Sequence, residues 1–517
     1  MDYLEIVKKI YKEQAELEND SNIPYWECWY KGYDEKFHRY YIYNGKKKIE
    51  RVKKSLKMFK KVCEDWASLL LNEKTSIAVN NQEMFDTICE KMSLKQKGNQ
   101  TVEYGFALSR AALVLTINDV QVNIDEKTKI GIVQQSPKAY LDLQLFNAKG
   151  IIPLSYRGND IVECAFIEKG SKESVISIHE LLDDGTYKIT NLKVENKNQK
   201  IKEQIEFNTQ CKTPLFMIVS PNIVNNLDVD SKKPISICAN AIDICKHIDD
   251  IFDSYNNEFI LGKKRTFISA KLNQVNTENG NVESSFDPND QTVYVLPQVE
   301  LPNGAEQQII KNVSDSLRTN EHQIGLKDAF NLLSATVGLG VDYYNFEKGR
   351  VMTATQVISE KSDTFRNLKK HELLIEKGLL NLAKSIMFIY NLVIKSNTFD
   401  DTESVAIQFD DSIIEDKATE KERDQKDVEF GAMSLLAYRM KWYGETEKEA
   451  KKAMKSYYGD ADFLKRLSNF TPFLTQGVLT PLQFVKMVYI DIKGEKEQQA
   501  LAEEIKESLK TGGDVFP

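Results

Sequence analysis

Residue types able to do chemistry occur in this chain without the spacing that chemistry needs. Gly45-Lys46 and Gly262-Lys263 each supply the GK pair of a phosphate-binding loop, but neither has the upstream glycine or the following hydroxyl that would hold magnesium. The strings His-Glu-Leu at His179 and His371 lack a second His four positions on, so a helix-borne zinc pair is not expected. Cys245 and His247 stand two apart on a predicted helix and face different directions, which separates a thiol from its base. No GxSxG nucleophile elbow is present. With five His in 517 residues, the expectation is a protein without catalytic residues, metal site or cofactor.

What remains is charge pattern. Eleven Lys and Arg lie between Lys36 and Lys61, opposed only by Glu50 and interleaved with aromatics from Trp26 to Tyr43. Such a segment stacks on nucleic acid, or else packs its lysine stems over an aromatic core. Farther on, Asp243, Asp249, Asp250 and Asp253 share the polar side of a predicted helix whose other side is apolar, so that side must meet water or a partner. The formal net charge of -8 argues against wholesale coating of nucleic acid, which normally takes a surplus of cations.

The elements that must position these groups follow from periodicity. Residues 1–97 read as helical. Residues 100–230 are β-rich, with one hairpin expected about Asn118-Asp119, joining Leu113–Ile117 to Val120–Ile124, and a second about Asp184-Gly185. After Pro234 the apolar residues Ile235, Cys238, Ile242, Cys245 and Ile248 fall at helical steps. Short strands and turns fill Leu261 to Leu317, and a helix follows from Arg318 to Val337, ended by Gly338 and Gly340. The loop VDYYNFEKGRVM (341–352) leads into the longest helical signal, opened by a Thr353–Gln356 capping box, and a strand VAIQF (405–409) precedes a charged helical tail.

At this length two to four structural units are expected. Hydrophobic residues at 41% and charged residues at 28% suit folded cores under a solvated surface. Gly and Pro number only 24 and 12, which favours long helices. The seven scattered Cys, without a CxxC pair, suit reduced thiols, and no apolar run is long enough to span a membrane. The fold class expected is α+β, helix-rich and multidomain.

Four strings carry a family resemblance: LKMFKKVCEDWASLLLNEK (56–74), SICANAIDICKHIDDIFDSYNNEFILGKKR (236–265), NLLSATVGLG (331–340) and TATQVISEKSDTFRNLKKHELLIEKGL (353–379). With the element order they resemble the portal proteins, also called minor capsid proteins, of tailed siphophages of Gram-positive hosts. The resemblance implies a homo-oligomeric ring, usually of twelve subunits, around an axial DNA channel at one capsid vertex. It implies a wing (1–232), a first stem helix (233–258), a clip (259–317), a second stem helix (318–338), a tunnel loop (339–352), a wing spine with its strand (353–414) and a helical crown (415–517). On the same basis Tyr343, Tyr344, Asn345, Phe346, Lys348 and Arg350 would meet DNA, and Asp243, Asp249, Asp250 and Asp253 would line the channel so that phosphate slides without sticking. Lys263, Lys264 and Arg265 would meet a partner at the clip. The implied partners are double-stranded viral DNA, the terminase large subunit, a head-tail adaptor, and the major capsid and scaffolding proteins; no membrane is involved. The implied location is the virion, after assembly in the host cytoplasm. The competing reading is a nucleic-acid-binding structural protein built on the basic 36–61 segment; a packaging nuclease or ATPase lacks its phosphate loop.

Overall fold

The computed structural model describes residues 3–11, 22–44, 47–124, 131–158, 160–263, 265–269, 274–276, 282–284, 293–296, 310–313, 316–344, 354–400, 404–409, 417–430, 432–443, 479–488 and a few positions between 450 and 506. The chain divides into two compact units, Met1–Ile414 and Glu415–Pro517.

The first unit opens with α1 (Tyr3–Ile10), α2 (Ile23–Lys31) and the single turn α3 (Glu35–His38). The basic segment then departs from the helical expectation: β1 (Arg39–Asn44) and β2 (Lys47–Val52) form an antiparallel hairpin with Ile42 opposite Ile49. The reason is local, since RYYIYN and KKIERV are rich in aromatic and β-branched residues that suit a pleated surface. Helix returns with α4 (Met58–Leu70), and after β3 (Ser76–Ala78) come α5 (Gln82–Lys91) and α6 (Leu94–Leu108).

β4 (Ala111–Asn118) lies between β7 (Tyr140–Asn147) and β13 (Phe216–Val219) in a three-stranded sheet. β5 (Gln121–Ile124) instead pairs with β6 (Gly131–Gln134), so the expected Leu113–Ile124 hairpin does not form. Ala111 through Leu115 are all buried, the mark of a central strand covered on both faces, and its partners therefore come from afar. The expected turn survives as a bend at Asp119, whose φ is 54°, but it sends the chain from one sheet into another.

The second sheet has seven strands in the order β5-β6-β12-β11-β10-β9-β8, where β8 is Ile151–Arg157, β9 Asp160–Lys169, β10 Glu173–Leu181, β11 Tyr187–Glu195 and β12 Lys200–Asn208. The β10–β11 hairpin turns where expected. Gly185 takes φ 81°, and the Asp184 carboxylate accepts hydrogen bonds from the Thr186 N–H and hydroxyl. α1 covers one face of this sheet through Ile6 and Val7, against Ile176, Ile178 and Leu192.

Two buried imidazoles make this unit acid-labile. His179 is ringed by Phe166 and Phe216, and His371 by Trp66 and Phe106. Burial holds each at about 3, below the ordinary 6.5. Both are neutral in the fold, whereas the unfolded chain takes up protons below pH 6.5, so stability falls as pH drops through that value. By linkage each costs about 2 kcal/mol at pH 5. Denaturant titrations at pH 7 and pH 5 check this, and His179→Phe, which suits an aromatic surround, should remove its share of the difference.

Beyond β13 the chain stays non-helical through Ser236. The Ile237 N–H donates to the Phe106 carbonyl, Ser236 Oγ accepts from the Cys238 N–H, and a short turn at Ala239–Ala241 leads into α7 (Ile242–Leu261). The helix thus starts seven residues later than Ile235, because those backbone groups are tied to the end of α6.

Short strands β14 (Arg265–Ser269), β15 (Gln274–Asn276), β16 (Val282–Ser284), β17 (Val293–Leu296) and β18 (Ile310–Val313) follow. β14 is paired by both β17 and β18. α8 (Thr319–Thr336) returns alongside α7, and α9 (Ala354–Val393) is a 40-residue spine whose Leu368, Ile375, Leu379, Leu382 and Ile386 are buried in the main core. β19 (Ala406–Gln408) pairs with β3, joining residues from opposite ends of the unit.

In the second unit α10 (Lys417–Glu429) meets α11 (Leu435–Tyr443) where Asp424 accepts from Lys441 Nζ at 2.7 Å and Trp442 Nε1 at 2.9 Å. α12 (Pro481–Val488) buries Phe484, Val485 and Val488 with Leu474 and Ile505. Among the described residues no helix is long and apolar enough to cross a membrane, and no group of three metal-ligating side chains occurs.

Candidate functional site: the paired helices α7 and α8

The body-proximal half of the α7 stripe belongs to its own subunit. Ile242, Cys245 and Ile248 are buried in the main core with Ala329, Phe330 and Leu333 of α8. This half therefore anchors the pair and is not free to pack against other copies. The distal half stays open, with Phe259 and Ile260 48% and 51% exposed.

The acidic side of α7 meets the segment just before α4. Asp249 is 3% exposed, so it does not line a channel. Its Oδ2 lies 3.1 Å from His38 Nε2, and its Oδ1 accepts the Leu56 N–H at 2.9 Å. The Asp34 N–H donates to His38 Nδ1, which leaves Nε2 as the nitrogen whose proton reaches Asp249. Asp250 pairs with Lys53 at 2.7 Å, and Asp253 accepts the Lys54 N–H at 3.1 Å and a hydrogen bond from Asn257. Asp243 and Asp250 fit the exposed reading, their side chains 91% and 50% exposed, the first beside Lys246 and the second on Lys53. A buried carboxylate must be paired, and the nearest donors lie about 200 residues earlier in the chain. The two charge features of the sequence thus answer one another.

Three other cations of the basic segment are likewise matched within the chain. Arg39 bridges Glu35 and Glu50, Lys60 meets Glu64 and Glu103, and Lys61 meets Asp65. This removes much of the surplus on which nucleic-acid binding by residues 36–61 would rest.

At the far end of the pair, Glu258 accepts from the Arg318 N–H and guanidinium. The Arg318 hydrogen bond holds its carboxyl below the usual range. Ser254 and His322 meet at 3.1 Å. These contacts fasten the two helices where the β14–β18 insertion leaves and returns. On the outward side of α8, Glu321, Ile324, Asp328 and Leu332 follow one another at three- and four-residue steps and all are exposed, Ile324 by 62% and Leu332 by 59%. The line thus carries two exposed large apolar side chains, Ile324 and Leu332, with two acids beside them. Ile324, Phe330, Leu332, Leu333 and Val337 all read from the sequence as apolar residues of the 318–337 helix, and periodicity alone does not separate the two that face outward from the three that are buried.

After α8 the chain is gripped. Trp66 Nε1 donates to the Val337 carbonyl at 3.2 Å, Asn367 Nδ2 to that of Gly338 at 2.9 Å, and Thr364 Oγ1 to that of Leu339. Gly338 has φ +83°, and a Cβ there would come within 3.0 Å of Asn367 Nδ2, so glycine is required. Tyr344 is 5% exposed, packed beside Phe330, and its hydroxyl donates to Asp65 at 2.9 Å. Burial first, and Asp65 second, push its phenol far above the ordinary value. Tyr344 is thus an anchor rather than a DNA-facing side chain, whereas Tyr343 is 39% exposed. Tyr344→Phe should cost about 1–2 kcal/mol and speed amide exchange across 337–344, measurable by hydrogen-exchange mass spectrometry. Lys263 is exposed, and the Arg265 guanidinium lies 5.9 Å from the Tyr294 ring centre. Asn345, Phe346, Lys348, Arg350, Lys264 and Thr353, the first residue of the expected capping box, lie outside the described residues.

Two long helices leaving and re-entering a mixed α+β body through a small strand insertion define a portal-type fold. Residues 8–460 match the family model described as phage portal protein, SPP1 Gp6-like, and the chain belongs to that family. It is a portal protein, of a structural family. No curated protein sequence matches the chain. The solved structures similar to it include the "Virion of native gene transfer agent (GTA) particle", at 9% identity and TM-score 0.36, covering 85% of this chain and 98% of that one. The "Neck of empty GTA particle computed with C6 symmetry" matches at 9% identity and TM-score 0.39, covering 84% and 97%. Likeness at that level adds nothing to the family assignment.

Proposed function

We propose that copies of this chain close into a ring, with twelve subunits the expected number, at one vertex of the virion capsid, and that double-stranded viral DNA passes through the hole during packaging and ejection. The observation that carries this reading is the open stripe Glu321, Ile324, Asp328 and Leu332 on α8 beside the exposed end of α7. One subunit leaves that surface uncovered, and a repeated heterologous contact covers it by closing. In this reading residues 1–232 and 353–414 are the wing, α7 and α8 the stem, 259–317 the clip and 415–517 the crown. The clip, with Lys263 and Arg265, receives the terminase large subunit and later the head-tail adaptor, while the major capsid and scaffolding proteins surround the wing and crown. Asp243, with its carboxylate in solvent, supplies the phosphate-repelling charge that the buried Asp249 does not. The ring assembles in the host cytoplasm and works without a catalytic residue. An in vitro packaging assay tests it: heads assembled with this chain take up nuclease-resistant DNA. Equal uptake by heads assembled without it would refute the proposal.

A further inference from the structure

The β1–β2 hairpin is a surface to which the ring reading gives no role. Its strands pair, among the described residues, only with each other, and a lone two-stranded ribbon is marginal in water. Yet Tyr41, Ile42, Tyr43 and Val52 are 43, 38, 72 and 52% exposed. The register places Arg39, Tyr41 and Tyr43 on one face with Val52, Glu50 and Lys48. On that face Lys48 Nζ lies 3.7 Å from the centre of the Tyr41 ring, so a cationic, tyrosine-rich patch is already assembled.

The root of the hairpin is fixed. His38 and Leu56 hold Asp249, and Lys53 and Lys54 hold Asp250 and Asp253. Within the hairpin Arg39 pairs with Glu50, but Lys47, Lys48 and Arg51 have no carboxylate partner among the described residues. From these observations we infer that the hairpin docks on a second copy of this chain and is an arm by which neighbouring subunits hold one another. The inference rests on the ring reading.

Charge complementarity favours this occupant, since a cationic arm on a chain of net charge -8 meets an anionic neighbour. Composition favours it too, because tyrosine and arginine with exposed aliphatics suit a protein interface. Duplex DNA, the competing occupant, would take the cations but would leave Ile42, Tyr43 and Val52 uncovered, its bases being stacked on one another. Because the root is bonded to α7, docking of the arm fixes the helix read here as part of the ring wall.

The test uses the full-length protein with the photo-crosslinker benzoylphenylalanine in place of Tyr43. Irradiation of assembled rings should give covalent dimers and higher species, with the crosslink mapped to a different copy. A second variant, Y43E with K48E, should weaken assembly roughly tenfold or more while circular dichroism and melting stay those of the wild type. Rings that form normally but give no intersubunit crosslink overturn the inference and leave the ring reading standing. Rings of normal strength from the double variant overturn it as well, and an accompanying loss of duplex binding would assign the arm to DNA. A wild-type protein that never forms rings removes both readings together.

Discussion

On the proposed ring, replacing Ile324 and Leu332 together by aspartate should release folded single subunits. Both side chains are mostly exposed in the single chain, 62% and 59%, so the change creates no cavity and strands no buried charge in the subunit. In the assembly each apolar side chain contributes about 2 kcal/mol on burial, and two removed from an interface lower its affinity roughly a thousandfold. The loss repeats at every interface around a ring. Aspartate also stands beside Glu321 and Asp328, adding like-charge repulsion along the stripe. Sedimentation velocity should show one slow species in place of a fast one, with an unchanged circular dichroism spectrum. The conservative pair I324V and L332V should keep the ring.

Asp249→Ala should damage the subunit itself. Removing the carboxylate leaves His38 Nε2 and the Leu56 N–H without their acceptor in a buried site, His38 being 0% and Asp249 3% exposed. Each buried donor left unsatisfied costs about 1–3 kcal/mol. Denaturant unfolding measures the loss, and hydrogen exchange should show faster exchange at residues 53–56, the segment that Asp249 holds on α7. Asp243→Ala is the contrast: exposed, with one partner on its own helix, it should move stability by about 0.5 kcal/mol or less.

The two cases show where the sequence was legible. Asp243 and Asp249 share a helix and a residue type, and their spacing alone gave both to the same polar side. What separates them is a segment about 200 residues away whose backbone N–H groups need acceptors, and no periodicity records that. The β10–β11 turn was readable because its chemistry is local, with Asp184 and Gly185 meeting Thr186 within three residues. The glycine cap at Gly338 and the spine α9 were readable for the same reason. The Leu113–Ile124 hairpin failed because β4 is central, and a central strand chooses its partners by burial rather than by its adjoining turn. Tyr344 was misplaced because a tyrosine in a loop advertises a ring and a hydroxyl equally, and only the fold shows that Asp65 takes the hydroxyl.

Electron microscopy of the purified full-length protein, averaged in top view, addresses the central claim most directly. The account predicts closed rings of one copy number with a central hole, the α7–α8 pairs forming its wall. Particles that average to single subunits or to aggregates without rotational symmetry, at concentrations where a virion component must assemble, would contradict it.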